Sequence, residues 1–184
     1  MRKIINSTYI SLDGVIEEPH LWPPSTGDDD GTGLKIQTEL LESCDAVLMG
    51  RRTYEGFAPV WPTRSGDPYS DRINTMRKYV VSSTLRDPEW NNTTVIADDP
   101  VEAIRRLKGE PGEHMVQYGF GPLSHAMMEA GLLDELRLWV HPLFVGNRAP
   151  EGLIYREGSS SIFEHRDTVT LTSGIVVLTY DAKS

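Results

Sequence analysis

A chain of 184 residues fits one domain that buries roughly 70% of its unfolded surface. Its 39% hydrophobic and 24% charged residues are ordinary for a soluble globular protein. No apolar run approaches the ~20 residues that span a bilayer, and the start, Met1 to Asn6, lacks the apolar core and small-residue cleavage site of a secretory leader, so a cytoplasmic protein with no membrane partner is expected. The formal net charge of −9 excludes the basic footprint of a non-specific nucleic-acid binder, and a single cysteine, Cys44, excludes an internal disulfide.

The predicted elements alternate along the chain, with no repeat and no low-complexity linker. Residues 3–11 read as a strand. A long loop over 12–33 follows, with Pro19, Pro23, Pro24 and the acidic run Asp28-Asp29-Asp30; loops of that length in compact domains are often lids or binding loops. Leu34, Leu40, Leu41 and Cys44 place an apolar side on a helix over 34–44, which makes Cys44 a small buried apolar residue late in that helix. Residues 46–50 suit an interior strand, and a brief helix runs from Arg51 to about Phe57 before Pro59 and Pro62 stop it. A helix over 67–76 and strands over 78–82 and 93–97 come next. Asp99, Pro100 and Glu102 form a capping-box-like start ahead of Ala103, Ile104 and Leu107. Residues 113–119 return as a strand, 122–130 as a helix ended by Gly131 in a left-handed conformation, and 135–140 as a strand. Residues 162–172 and 175–180 around Ser173-Gly174 read as an antiparallel hairpin. Strands alternating with helices and finished by a hairpin indicate an α/β sheet, mostly parallel, with antiparallel edge strands.

Three segments carry chemistry. In Gln117-Tyr118-Gly119-Phe120-Gly121-Pro122-Leu123 a strand enters a glycine turn and then a helix, an arrangement that aims backbone N–H groups at one place; a bound phosphate and a mere tight turn both fit it. Leu48-Met49-Gly50-Arg51-Arg52-Thr53-Tyr54-Glu55 repeats the pattern with two cations at a helix start, where the dipole disfavours them unless an anion lies between them; the alternative is that they bend into solvent or pair with Glu55. Tyr79-Val80-Val81-Ser82-Ser83-Thr84 ends a strand in three hydroxyls.

These segments, in this order, resemble the dihydrofolate reductase-like superfamily, in particular the branch containing the reductase domain of riboflavin biosynthesis enzymes. The likeness is carried by Ser11-Leu12-Asp13-Gly14-Val15, Met49 to Glu55, Val80 to Leu85, and Gly131 to Leu138 with His141-Pro142, and it covers nearly the whole chain as a single domain over 1–184. The resemblance implies a three-layer fold, with helices on both faces of a mixed, mostly parallel sheet and a C-terminal antiparallel hairpin. It also implies a stand-alone NADPH-dependent reductase and a homodimer. Carried over by position, it assigns the cofactor's phosphates and adenosine end to Gly50, Arg51, Arg52 and Thr53, the 2′-phosphate to Ser82, Ser83 and Thr84, and the pyrophosphate to Gly119, Phe120 and Gly121. Charge-assisted hydrogen bonds contribute roughly 1.5–3 kcal/mol each, so one arginine and one serine on a 2′-phosphate favour NADPH over NADH by about two decades. The Phe120 ring either points away from the ligand or touches it.

Hydride transfer is mainly the cofactor's chemistry, and the protein must align the reactants, exclude water and supply a proton. Asp13, after the first strand and before Gly14, is the first candidate for a carboxylic acid in that role; the alternative is a turn-forming aspartate. Asp28, Asp29 and Asp30 read as a solvated loop face. Trp22 and Trp61, each beside a proline, either stack on a flat substrate or cover the core edge. The histidines show no metal-like spacing, and no metal site is expected; His141 reads as a strand-end residue. Phosphate on a substrate would draw on Arg64 and Arg148. The substrate class is a small heterocycle or imine, such as a ribosylaminopyrimidine or a pterin. The competing readings are a non-catalytic NADPH or mononucleotide-binding module and a flavin-binding protein.

Overall fold

A computed structural model describes residues 2–23, 30–146 and 149–183. The chain divides into two compact units, one made of residues up to 4 together with 34–118, the other of 5–33 together with 119 onward. Strand β1 (Ile4–Ser11) opens the chain and lies in the second unit from Ile5.

In the first unit α1 (Thr32–Glu42), which enters it at Leu34, leads into β2 (Cys44–Gly50), α2 (Arg51–Phe57), α3 (Pro68–Thr75), β3 (Arg77–Val81), β4 (Thr93–Ile96), α4 (Pro100–Gly109) and β5 (His114–Tyr118). Its strands lie in the order β4-β3-β2-β5, every neighbouring pair parallel. Ala46, Val47, Leu48 and Met49 are fully buried, the pattern of an interior parallel strand covered on both faces; each of the larger side chains contributes about 1.5–3 kcal/mol by leaving water. Asp99 caps α4 by accepting from the Glu102 N–H at 3.2 Å, with Pro100 in the first turn, as expected. Asp67 caps α3 in the same way, accepting from Ser70 N–H at 2.9 Å. Arg2, 4% exposed, pairs with Asp45 and donates to the carbonyls of Glu113 and Leu107 at 2.7 and 3.2 Å.

At one boundary a residue changes element relative to the sequence expectation. Cys44 opens β2 instead of closing α1, although it is buried as anticipated. No glycine or proline separates helix from strand here, so the apolar signal of Cys44 runs into Ala46-Val47-Leu48 and only the Ser43 hydroxyl, bonded back to the Leu40 carbonyl at 2.7 Å, marks the change.

In the second unit β1 pairs in parallel with β6 (Glu135–His141), β6 pairs antiparallel with β8 (Val176–Ala182), and β8 with β7 (Phe163–Thr170), giving the order β1-β6-β8-β7. The expected hairpin is β7-β8, closed by the Leu171 N–H on the Ile175 carbonyl at 2.8 Å with Gly174 at φ +82°. Helix α5 (Pro122–Glu129) precedes Gly131, which is left-handed at φ +63° as its position predicts. The fold is α/β, with mostly parallel strand pairs and antiparallel strands at the C-terminus. Among the described residues no helix is long and apolar enough to cross a membrane.

Candidate nucleotide-binding site

Neighbouring parallel strands of the first unit end side by side. Gly50 is in register with Val81, and Met49 with Tyr118, so Arg51 and Ser82 leave adjacent strand ends roughly 5 Å apart, and the last residue of β5 stands level with them. Gly50 adopts φ −81°, ψ 167°, a conformation open to any residue, and a Cβ built there meets nothing within 4 Å. Neither backbone geometry nor packing requires glycine at that strand end. Arg51 and Arg52 are both exposed and Thr53 is half-buried. The Arg51 guanidinium donates to Glu55 at 3.1 Å, both side chains about half exposed; such a pair contributes only about 0.3–0.5 kcal/mol, a tether that an anion readily replaces. The Ser82 hydroxyl, 8% exposed, accepts from the N–H groups of Thr84 and Leu85 at 3.2 and 2.9 Å, and so folds the turn that presents the exposed Ser83 and Thr84.

The glycine turn begins the second unit's return, directly after β5 in the chain. Gly119 sits at φ +76°, which glycine adopts without strain, and its carbonyl accepts from the fully buried Asn6 amide at 2.9 Å. Gly121 has an extended φ of 178°, and a Cβ there also meets nothing within 4 Å; its N–H reaches the Ser124 hydroxyl only at 3.4 Å. The Phe120 ring packs edge-on against His125, centroids 5.2 Å apart at 89°. Asn6 and His125 escaped the sequence reading. A polar residue inside the apolar run Ile4-Ile5-Asn6 was the available signal for the first; for His125 only its place in the first turns of α5 was.

Asp13 is held by three donors. Its carboxylate accepts from the Ser11 hydroxyl at 2.5 Å and from the N–H groups of Val145 and Gly146 at 3.1 and 2.9 Å. The Ser11 hydrogen bond first, then those of Gly146 and Val145, outweigh partial burial and lower its pKa from 3.8 to about 2. Donors converging on a carboxylate hold it ionised, the reverse of what a proton donor needs. Asp13 therefore braces the 143–146 loop against the exit of β1, where Leu12 N–H also bonds the Leu143 carbonyl at 2.9 Å.

Trp22 is 7% exposed, donates to the Glu17 carbonyl at 3.0 Å and packs edge-on against His141, centroids 5.3 Å apart: it covers the core edge. Trp61 is half-buried between Phe57 and Tyr69, with the Arg64 guanidinium 5.1 Å above its ring, so its faces also serve the protein. His141 ends β6, as expected, and burial lowers its pKa. Asp30 accepts from the Thr32 N–H at 2.8 Å at the start of α1; Asp28, Asp29 and Arg148 lie outside the described residues.

The model of the RibD C-terminal domain family matches residues 2–177. The chain is 28% identical over 184 residues to YyaP of Bacillus subtilis (strain 168), an uncharacterised protein, covering 97% of this chain and 94% of that one. A crystal structure from Shewanella sp. PV-4, provisionally described as a riboflavin biosynthesis protein, is similar with a TM-score of 0.71 at 21% identity over 100% of both chains. Dihydrofolate reductase from Enterococcus faecalis, complexed with NADP(H) and RAB-propyl, is similar with a TM-score of 0.67 at 17% identity, over 99% of this chain and 97% of that one. The dihydrofolate reductase-like fold expected from the sequence is thereby shown.

Proposed function

The chain belongs to the RibD C-terminal domain family, and from that membership we propose that it is an NADPH-dependent reductase of a small heterocyclic or imine-containing substrate, such as a ribosylaminopyrimidine or a pterin. The observation that carries the reading is the end of β2, where Gly50, which neither conformation nor packing demands and whose missing Cβ leaves open space, precedes the exposed Arg51 and Arg52. Glycine at such a place suits close backbone approach to a phosphate. The likeness to a reductase that carries NADP(H) supports the same cofactor class.

When bound, the nicotinamide supplies the hydride. The chain's own groups do the holding. Arg51 and Arg52 place two positive charges at the end of β2 in a protein of net charge −9. Ser83 and Thr84, exposed beside them, supply hydroxyl donors for a 2′-phosphate. Gly119 turns the chain and Gly121 offers a backbone N–H held only by a long hydrogen bond.

The test is the ratio of dissociation constants for NADPH and NADH. Arg51→Gln is expected to weaken NADPH by roughly 10- to 100-fold, the loss of one charge-assisted contact, while leaving NADH nearly unchanged. Equal affinity of the native protein for the two nucleotides sinks the proposal. A second reading, an NADPH-binding module without turnover, is favoured by the three donors, Ser11, Val145 and Gly146, that already occupy the Asp13 carboxylate. It predicts tight NADPH binding with no loss of reduced-nicotinamide absorbance in the presence of pterin or pyrimidine substrates.

A further inference from the structure

The second unit carries a recess of about 190 Å³ between α5, β6 and the 154–163 segment. Its walls are apolar, formed by Phe120, Met128, Leu136 and Phe163, and its polar groups are the His125 ring, the Arg156 guanidinium and hydroxyls at its edge. No carboxylate lines it. Arg156 is exposed and makes no ion pair with a described residue, which stands out where acids outnumber bases 27 to 18.

His125 settles which hydroxyls remain available. Its ring is 6% exposed, with Nε2 3.2 Å from the Ile154 carbonyl and Nδ1 2.8 Å from the Ser159 hydroxyl. A carbonyl only accepts, so Nε2 carries the proton and Nδ1 accepts from Ser159. The Ser159 proton is therefore committed inward. Ser161 and Tyr155, both exposed and both at the recess, keep theirs.

We propose that this recess binds a small aromatic carboxylate. A cavity of roughly 150 Å³ takes benzene, so about 190 Å³ admits one ring and a carboxyl group. The ring lies against Phe120, Met128, Leu136 and Phe163; the carboxylate meets Arg156 in the bidentate geometry that guanidinium favours, with Ser161 or Tyr155 donating a further hydrogen bond. A guanidinium with no ion pair among the described residues, beside an apolar slot that no carboxylate lines, selects an anion with a flat apolar body over a neutral ring or a cation. None of the charged groups assigned to NADPH lines the recess, and the two readings share only the glycine turn, whose Phe120 ring forms one wall.

The test is titration of benzoate and of benzyl alcohol into the full chain, followed by amide chemical shifts. Benzoate is expected to shift Phe120, Ser159 and Phe163 and to bind at least about tenfold more tightly than benzyl alcohol, a preference that Arg156→Gln removes. Arg156 is exposed, so the variant folds; Ser161→Ala with Tyr155→Phe serves as the second variant, expected to weaken benzoate alone. Equal binding of the two probes, shifts elsewhere on the protein, or benzoate affinity unchanged by Arg156→Gln overturns the proposal. Loss of the benzoate shifts as protein concentration rises, with self-association, also overturns it and gives the recess to a second copy of the chain.

Discussion

Asp13 shows how neighbouring donors tune one carboxylate. Its lowered pKa of about 2 against an ordinary 3.8 means that the folded state holds the ionised form more firmly than the unfolded chain does. The resulting stability is fully present above about pH 4 and is lost as the pH falls through the folded value. Urea unfolding of the native protein and of Asp13→Asn is expected to differ at pH 6 and to converge towards pH 2; a constant gap across that range refutes the assignment. Lys78 works in the opposite sense. Its amine is fully buried, donates to the Asn74 carbonyl at 2.7 Å and lies 4.5 Å over the Trp90 ring, and burial lowers its pKa from 10.5 to about 8. Between those values the unfolded chain binds more protons, so this group makes stability rise with pH from about 8 to 10.5. Lys78→Met is expected to remove that rise, as measured by unfolding midpoints at pH 7.5 and 9.5.

At the scale of elements, the joints are held by few contacts and are sensitive to them. A Cβ at Gly112, which has φ +156°, would collide with the Asp45 carboxylate that pairs with Arg2. Gly112→Ala is expected to cost about 1–3 kcal/mol, read as a lower urea midpoint with an unchanged slope. Asp99→Ala, which strips the cap of α4, is expected to cost about 1 kcal/mol, with the loss of protection in hydrogen exchange confined to the first turn of that helix. The elements most legible in the sequence were those with such punctuation. Asp99-Pro100-Glu102 marked α4, Gly131 ended α5, and Ser173-Gly174 turned the hairpin, each through a local backbone rule that acts before tertiary packing. The passage from α1 to β2 has no such marker, and there the boundary slipped.

For the molecule as a whole, the sequence disclosed the α/β architecture because hydrophobic period and turn chemistry agree along the chain. Side-chain allegiance was less legible. Asp13 and Trp22 each have a residue type suited to a ligand, but their partners, Val145 and Gly146 for one and His141 for the other, lie more than a hundred positions away in the chain. Only folding brings those donors and rings together. Cofactor linkage gives a measurement on the entire fold. With NADPH at a hundred times its dissociation constant, stability gains about 2.7 kcal/mol, which for a chain of this size raises the melting temperature by roughly 5–10 °C. NADH and FMN at the same concentration are expected to give a small fraction of that shift, and a larger response to FMN would favour a flavin protein.

The lone thiol at the head of β2 makes the protein its own gauge of local opening. Cys44 is sealed from solvent and is the single cysteine in the chain, so a maleimide modifies the native molecule only during excursions that expose that strand. Under conditions where reclosing outpaces alkylation, the modification rate divided by that of a free thiol is the equilibrium fraction of open molecules. The free energy of opening of an all-parallel core strand can thus be measured in unperturbed buffer, without adding a probe to the sequence.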